Sequence, residues 1–161
     1  MPEENISTKV WQDPAWFIAF GFGSGLLPIA PGTWGTLAAI PVYFILSSLP
    51  PLFYLLIVGV LFLLGVWVSD IVTRALGKQD FSGIVWDEVV GYLLTMFCVP
   101  FGLIWMIIGF VLFRIFDILK PPPIGLVDRH IHGGFGVMLD DVLAAIPAWL
   151  ILQTLVWMFK S

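Results

Sequence analysis

Residues 52–75 read LFYLLIVGVLFLLGVWVSDIVTRA, and this run decides the solvent in which the chain folds. A helix needs about 20 consecutive apolar residues to cross a bilayer core, and here no charge appears before Asp70. The surrounding chain agrees. It has 161 residues, 60% hydrophobic and 11% charged, with a mean hydropathy of +1.02. Ordinary soluble domains are about one quarter charged. Eight Trp and fourteen Phe supply interfacial anchors as well as packing.

The formal charge of -4 argues against a nucleic-acid partner, which selects a basic surface. Cys98 is the single cysteine, so no intrachain disulfide can form. Its place in the apolar run Tyr92–Pro100 predicts a small buried hydrophobe. The first dozen residues are polar, and no basic segment leads into a cleavable apolar one, so no signal peptide is expected.

Outward from residues 52–75, the same reading gives an all-α, compact, multi-pass membrane helix bundle. It has about five membrane-embedded helices and a short N-terminal interfacial helix. Residues 1–12 read as a polar tail, and 13–161 as a single membrane-embedded catalytic domain. Asp13-Pro14 opens the interfacial helix over 14–22, with Asp as N-cap and Pro at the first helical position. The run 21–35, GFGSGLLPIAPGTWG, is too rich in Gly and Pro to be regular helix throughout. The five spans are Thr36–Ser48, Leu52–Ala75, Trp86–Val99, Leu103–Leu119 and Val142–Phe159, several of them short for a bilayer. LAAIPVYFIL at 37–46 and LAAIPAWLIL at 143–152 form a weak internal echo.

With five spans, the loops holding Arg74, Lys78, Arg114, Lys120 and Arg129 fall on one side with the amino terminus. The excess of Lys and Arg on cytoplasmic loops makes that side cytoplasmic, Lys160 being a mild exception. A bacterial inner membrane is the expected location.

Against this apolar background the stretch 113–141, FRIFDILKPPPIGLVDRHIHGGFGVMLDD, is conspicuously polar and holds both histidines. Asp140 and Asp141 stand at the start of the fifth span, and Asp87 and Glu88 at the start of the third. Carboxylates in a first helical turn are favoured by the helix dipole, which accounts for either pair alone. It does not account for both pairs facing one membrane surface. Four acids converging there repel one another unless a cation sits among them, and hard oxygen ligands suit Mg²⁺.

Arg114, Asp117 and Lys120 fall at i, i+3 and i+6 on one helix face. They read either as an ion pair with snorkelling basic ends or as a phosphate clamp, and Asp128-Arg129 continues the alternation. His132, before Gly133-Gly134, is placed to move a proton near neutral pH or stands idle in a loop. His130 has no supporting motif. Ser24, Thr33 and the glycines of 21–35 could present hydroxyls and amides to a phosphate. Asp70 and Arg74 read as a plain i, i+4 ion pair. There is no P-loop, no cysteine-phosphatase loop, no DxD pair and no evident Ser-His-Asp arrangement. Hydrolysis would then use water activated by a cation.

Four motifs in order, GFGSGLLPIAPGTWGT, IVWDEVVG, FRIFDILKPPPI and DRHIHGGFGVMLDD, make the chain resemble the phosphatidylglycerophosphatase A family from about Trp16 to Phe159. The resemblance implies a Mg²⁺-dependent, multi-pass membrane phosphatase that converts phosphatidylglycerophosphate to phosphatidylglycerol. The positions matching the family pattern include Asp87, Glu88, Arg114, Asp117, Lys120, Asp128, Arg129, His132, Asp140 and Asp141.

The expected roles follow. Asp87, Glu88, Asp140 and Asp141 are the metal ligands, with Asp87 and Asp141 foremost. Arg114, Lys120, Arg129, Thr33 and Ser24 bind the phosphate, and Asp128, His132 and Asp117 carry the catalysis. The partners are the phospholipid substrate and membrane lipid. The alternatives are a phosphatase of another phosphomonoester lipid, or a small ion-coupled transporter whose charges would lie nearer the midplane.

Overall fold

The computed structural model describes residues 3–78, 81–122 and 131–160. Among these the chain is all-helical: α1 Glu3–Gln12, α2 Pro14–Ala19, a 3₁₀ turn Ser24–Leu26, α3 Pro31–Leu46, α4 Pro51–Leu76, α5 Trp86–Thr95, α6 Leu103–Leu119 and α7 Gly133–Lys160. Proline opens α2, α3 and α4, where its fixed φ suits a helix and its missing N–H costs nothing. Asp13 caps α2 by accepting from the Ala15 N–H at 2.9 Å. Gly77 ends α4 at φ +63°, a left-handed conformation that glycine adopts without penalty.

Residues 1–12, read as a polar tail, contribute α1. Ile6 and Val10 are buried, one turn apart on one helix face, and pack with Trp16, Ala19, Phe20, Val68 and Val72 in a small separate core. Lys9 sets its ammonium over the Trp16 ring, 5.2 Å from the centroid, a cation–π contact. The mean polarity of the segment hid a two-residue apolar stripe.

Two helices, Pro51–Leu76 and Gly133–Phe159, are long and apolar enough to cross a membrane by length and composition. Only 28% of each apolar window is buried within the molecule. On α4, Leu56, Val60, Leu63 and Trp67 are 57–67% exposed, and their spacing puts them on one face. An outward apolar stripe of this kind suits lipid better than water.

The other three expected spans are shorter. At 1.5 Å per residue, α3 (16 residues), α5 (10) and α6 (17) reach about 24, 15 and 26 Å, against a hydrocarbon core of about 30 Å. The expected third span, Trp86–Val99, is the clearest difference. α5 stops at Thr95 and is packed by α3, α4, α6 and α7, with Trp86, Val89, Val90, Gly91, Tyr92, Leu93 and Thr95 buried. Protein surrounds it, so its apolar composition reflects burial among helices.

A short helix inside a bundle leaves carbonyls without partners at its C-terminal end, and side chains from neighbouring helices supply donors there. Tyr54 donates its hydroxyl to Leu93 O at 2.6 Å. Trp149 Nε1 and Gln153 Nε2 both donate to Phe97 O, at 2.9 and 2.7 Å. Gly91 lets α6 close in, since a Cβ there would meet the Phe113 ring at 2.5 Å. Cys98, expected to be buried, is exposed. It occupies a tight turn at φ +57°, and that turn holds its side chain off the core.

Candidate active site

Chain direction brings the functional groups to one end of the bundle. α3, α5 and α7 start there, and α4 and α6 finish there. Asp87 and Glu88 lie in the first turn of α5, which is anchored where Val85 N–H donates to Ala19 O at 2.9 Å. Arg114 and Asp117 sit on the last turns of α6, and Lys120 caps that helix in a left-handed conformation.

Asp140 and Asp141 depart from expectation. α7 begins at Gly133, not at residue 142, so both acids lie two turns inside the helix and both are buried. The dipole of a helix acts within its first turn, so capping does not account for this pair. Gly133, Gly134 and Gly136 misdirect a propensity argument because they belong to α7. A Cβ on Gly134 would stand 2.1 Å from Val66 O, so the glycine lets α7 close against α4.

These residues line a cavity of about 420 Å³. Its walls hold five carboxylates (Asp87, Glu88, Asp117, Asp140 and Asp141) and two cations, Arg114 and Lys120. Arg114 Nη1 pairs with Asp117 and lies 3.5 Å from Glu88 Oε1. Lys120 Nζ meets Asp140 Oδ2 at 2.5 Å, and Asp140 Oδ1 accepts from the Asp141 N–H at 3.1 Å.

Asp87, Glu88 and Asp141 each offer a carboxylate oxygen, and the three oxygens lie within 4.8 Å of one another. At that distance two ionised carboxylates repel by roughly 3–4 kcal/mol at an effective dielectric of about 20. Asp87 Oδ1, Glu88 Oε2 and Asp141 Oδ2 are buried and have no hydrogen-bond partner among the described residues, and neither has Arg114 Nε. Buried polar atoms are normally satisfied. Three orphaned anionic oxygens beside one orphaned guanidinium N–H therefore describe a place for a cation next to a place for an anion. Octahedral Mg²⁺ sets its ligand oxygens about 3–4 Å apart, within reach of small side-chain rotations from the distances seen here.

Not every expected residue joins this cavity. His132 is exposed and is not among its lining residues. Ser24 and Thr33 are also absent from the walls. Ser24 Oγ turns back to Phe20 O at 3.5 Å, because the loop before α3 folds onto α2. Asp128 and Arg129, and the unassigned His130, lie outside the described residues. Asp70 and Arg74 form the expected i, i+4 pair at 2.7 Å and are not among the lining residues of the cavity.

Ser82, which sequence reasoning missed, and Gly32, one of the glycines of 21–35, line the cavity. A Cβ on Gly32 would stand 2.0 Å from Glu88 Oε1 and 2.8 Å from Arg114 Nη1. The first turn of α3 thus reaches the acid cluster only because residue 32 has no side chain. The glycine-rich run 21–35 carried that signal, but as possible amide donors rather than as close approach.

A family model described as Phosphatidylglycerophosphatase A matches residues 17–156. Phosphatidylglycerophosphatase A of Escherichia coli (strain K12) is 43% identical over 136 residues, 84% of this chain and 79% of that protein. The protein of the same name from Haemophilus influenzae is 44% identical over 151 residues, 92% of this chain and 93% of its own. A Bacteroides thetaiotaomicron protein named "Putative phosphatidylinositol-3-phosphatase" is 38% identical over 148 residues, 87% of this chain and 92% of its own. No solved structure matches the chain.

Proposed function

The chain belongs to the phosphatidylglycerophosphatase A family, and on that premise we propose that it is a Mg²⁺-dependent lipid phosphatase hydrolysing phosphatidylglycerophosphate to phosphatidylglycerol and phosphate. One observation carries the metal requirement. Five carboxylates and two cations line the cavity, so a phosphomonoester dianion would meet net repulsion there. The orphaned oxygens of Asp87, Glu88 and Asp141 fit a hard divalent ion, and these three would hold it. Bound Mg²⁺ supplies positive charge to the phosphoryl oxygens and makes a water nucleophilic near neutral pH.

The remaining residues divide the work. Arg114, with Nε still unpartnered, binds a phosphoryl oxygen and offsets charge as it develops. Lys120 holds Asp140, and Asp140 in turn fixes the backbone of Asp141. In the hydrolysis a water oxygen bonds to phosphorus, the bond from phosphorus to the glycerol oxygen breaks, and one proton passes to the leaving alkoxide. A carboxylate of the cavity wall moves that proton. Asp117, beside Arg114, is the group we assign.

On this reading the protein is a multi-pass chain of the bacterial inner membrane. α3 and α6 pack with the two helices of spanning length around α5, and the site lies at the cytoplasmic surface. Arg74, Lys78, Arg114 and Lys120 all belong to the end of the bundle that carries the acids, in keeping with the bias of basic residues to the cytoplasmic side. The headgroup enters laterally while most of each acyl chain stays in lipid. The same end location speaks against an ion path through the midplane.

The test is phosphate release from phosphatidylglycerophosphate by purified protein in detergent micelles, with Mg²⁺ or with a chelator. Release that depends on Mg²⁺ is expected, and release that survives chelation would refute the mechanism. The name of the Bacteroides relative favours one added arm, in which phosphatidylinositol 3-phosphate and phosphatidic acid compete for turnover.

A further inference from the structure

A second cavity, of about 390 Å³, adjoins the acid-lined one and shares Pro31, Phe81 and Ser82 with it as a common wall. Its other sides come from Ile6 and Ser7 of α1 and from residues 20 and 25–28. The two chambers differ in chemistry. The first is lined by seven ionisable side chains. The second has none among its lining residues, only apolar groups, glycine backbone and the hydroxyls of Ser7 and Ser82. Beside it runs an apolar lip in which Leu27 is 41% and Ile29 78% exposed. The lip is pinned where Trp34 Nε1 donates to Ile29 O at 3.1 Å.

We infer that this second cavity receives the uncharged end of the substrate, the esterified glycerol and the first carbons of its acyl chains, while the terminal phosphate occupies the first. The inference rests on the phosphatase reading above. A lipid whose headgroup is among the acids must leave the cavity along one of its sides. Ester and hydrocarbon groups are disfavoured against ionised walls, which would lose solvation to them. The shared wall of Pro31, Phe81 and Ser82 borders instead a chamber with no ionisable wall, whose mixture of apolar side chains, backbone groups and two hydroxyl donors matches an ester-bearing glycerol. From there the exposed lip of residues 27–29 continues toward lipid. α1, which precedes the region matched by the family model, thereby becomes part of the substrate site.

Two measurements test this on the full chain. The first uses vesicles of phosphatidylglycerol doped with phosphatidylglycerophosphate that carries a diazirine at the start of one acyl chain. These are irradiated with the protein, and the adducts are mapped by mass spectrometry. Adducts within residues 3–12 and 24–31, suppressed by unlabelled substrate, are expected. Adducts confined to the outer faces of α4 and α7 would overturn the inference.

The second measurement uses Ser7→Trp, which adds bulk at an exposed position of the chamber wall. The ratio of kcat/KM for the dioleoyl lipid to kcat/KM for glycerol phosphate should fall about tenfold, mainly through KM. An unchanged ratio would overturn the inference. Crosslinking reads binding without turnover, so a wild-type protein that releases no phosphate would count against the phosphatase reading alone.

Discussion

Lys120 and Asp140, twenty residues apart in sequence, meet at the mouth of the acid cavity with Nζ 2.5 Å from Oδ2. The contact joins the end of α6 to the third turn of α7. Asp140 is 6% exposed, so removing its cation leaves a largely desolvated carboxylate without that partner. Such losses cost several kcal/mol when fully buried. The 30% exposure of the Lys120 side chain screens the pair, and about 2 kcal/mol is expected here. Lys120→Met should therefore destabilise more than Asp140→Asn. The double variant should recover about half of the loss, read by denaturation in detergent as a double-mutant cycle. Coupling near zero would make the contact incidental.

Asp87, Glu88 and Asp141 predict a stability effect whose sign depends on Mg²⁺. In the metal-free protein three buried acids compete for charge within 4.8 Å, and Asp141→Asn removes one of them from the cluster. The variant should melt higher than wild type in chelator. With saturating Mg²⁺ the order should reverse, since a ligand at 100 times its Kd stabilises by about 2.7 kcal/mol and the variant forfeits most of that. Phosphate release should fall at least a hundredfold in the variant. A melting temperature that ignores Mg²⁺ in both proteins would remove the metal from the site.

Gly32 offers a variant that separates activity from folding. In Gly32→Ala the new Cβ would stand 2.0 Å from Glu88 Oε1, and Glu88 must swing away from Arg114. Alanine is better than glycine in a helix by up to about 1 kcal/mol, which offsets the crowding. Thermal stability should stay near wild type while kcat falls about tenfold or more. Equal losses of stability and activity would show that residue 32 serves packing alone.

Much of this site was legible because it was expensive. Asp87, Glu88, Arg114, Asp117, Lys120, Asp140 and Asp141 stand out against an apolar chain, and helical spacing alone places 114, 117 and 120 near one another. What sequence could not give was the surroundings of each element. An apolar ten-residue helix looks alike whether lipid or protein covers it, so α5 reads as a span although four helices enclose it. The glycines at 133, 134 and 136 argue for a loop until Val66 is seen pressing on Gly134, and that error moved Asp140 and Asp141 to a helix start. α1 was hidden in the same way, because the surface that buries Ile6 and Val10 comes from α2 and α4, elsewhere in the sequence.

Cys98 supplies a test of orientation. α5 starts at the acid cavity with Asp87 and runs away from it to Thr95, so the turn holding Cys98 lies at the opposite end of the bundle. The thiol is exposed and is the only cysteine of the chain. A cytoplasmic active site therefore requires Cys98 to face the periplasm. A membrane-impermeant maleimide should label wild-type protein in intact spheroplasts. In a Cys98→Ser background, Ser82→Cys, at the wall of the acid cavity, should be labelled only after the membrane is opened. The reverse pattern would turn the molecule over in the bilayer and place the phosphatase site outside.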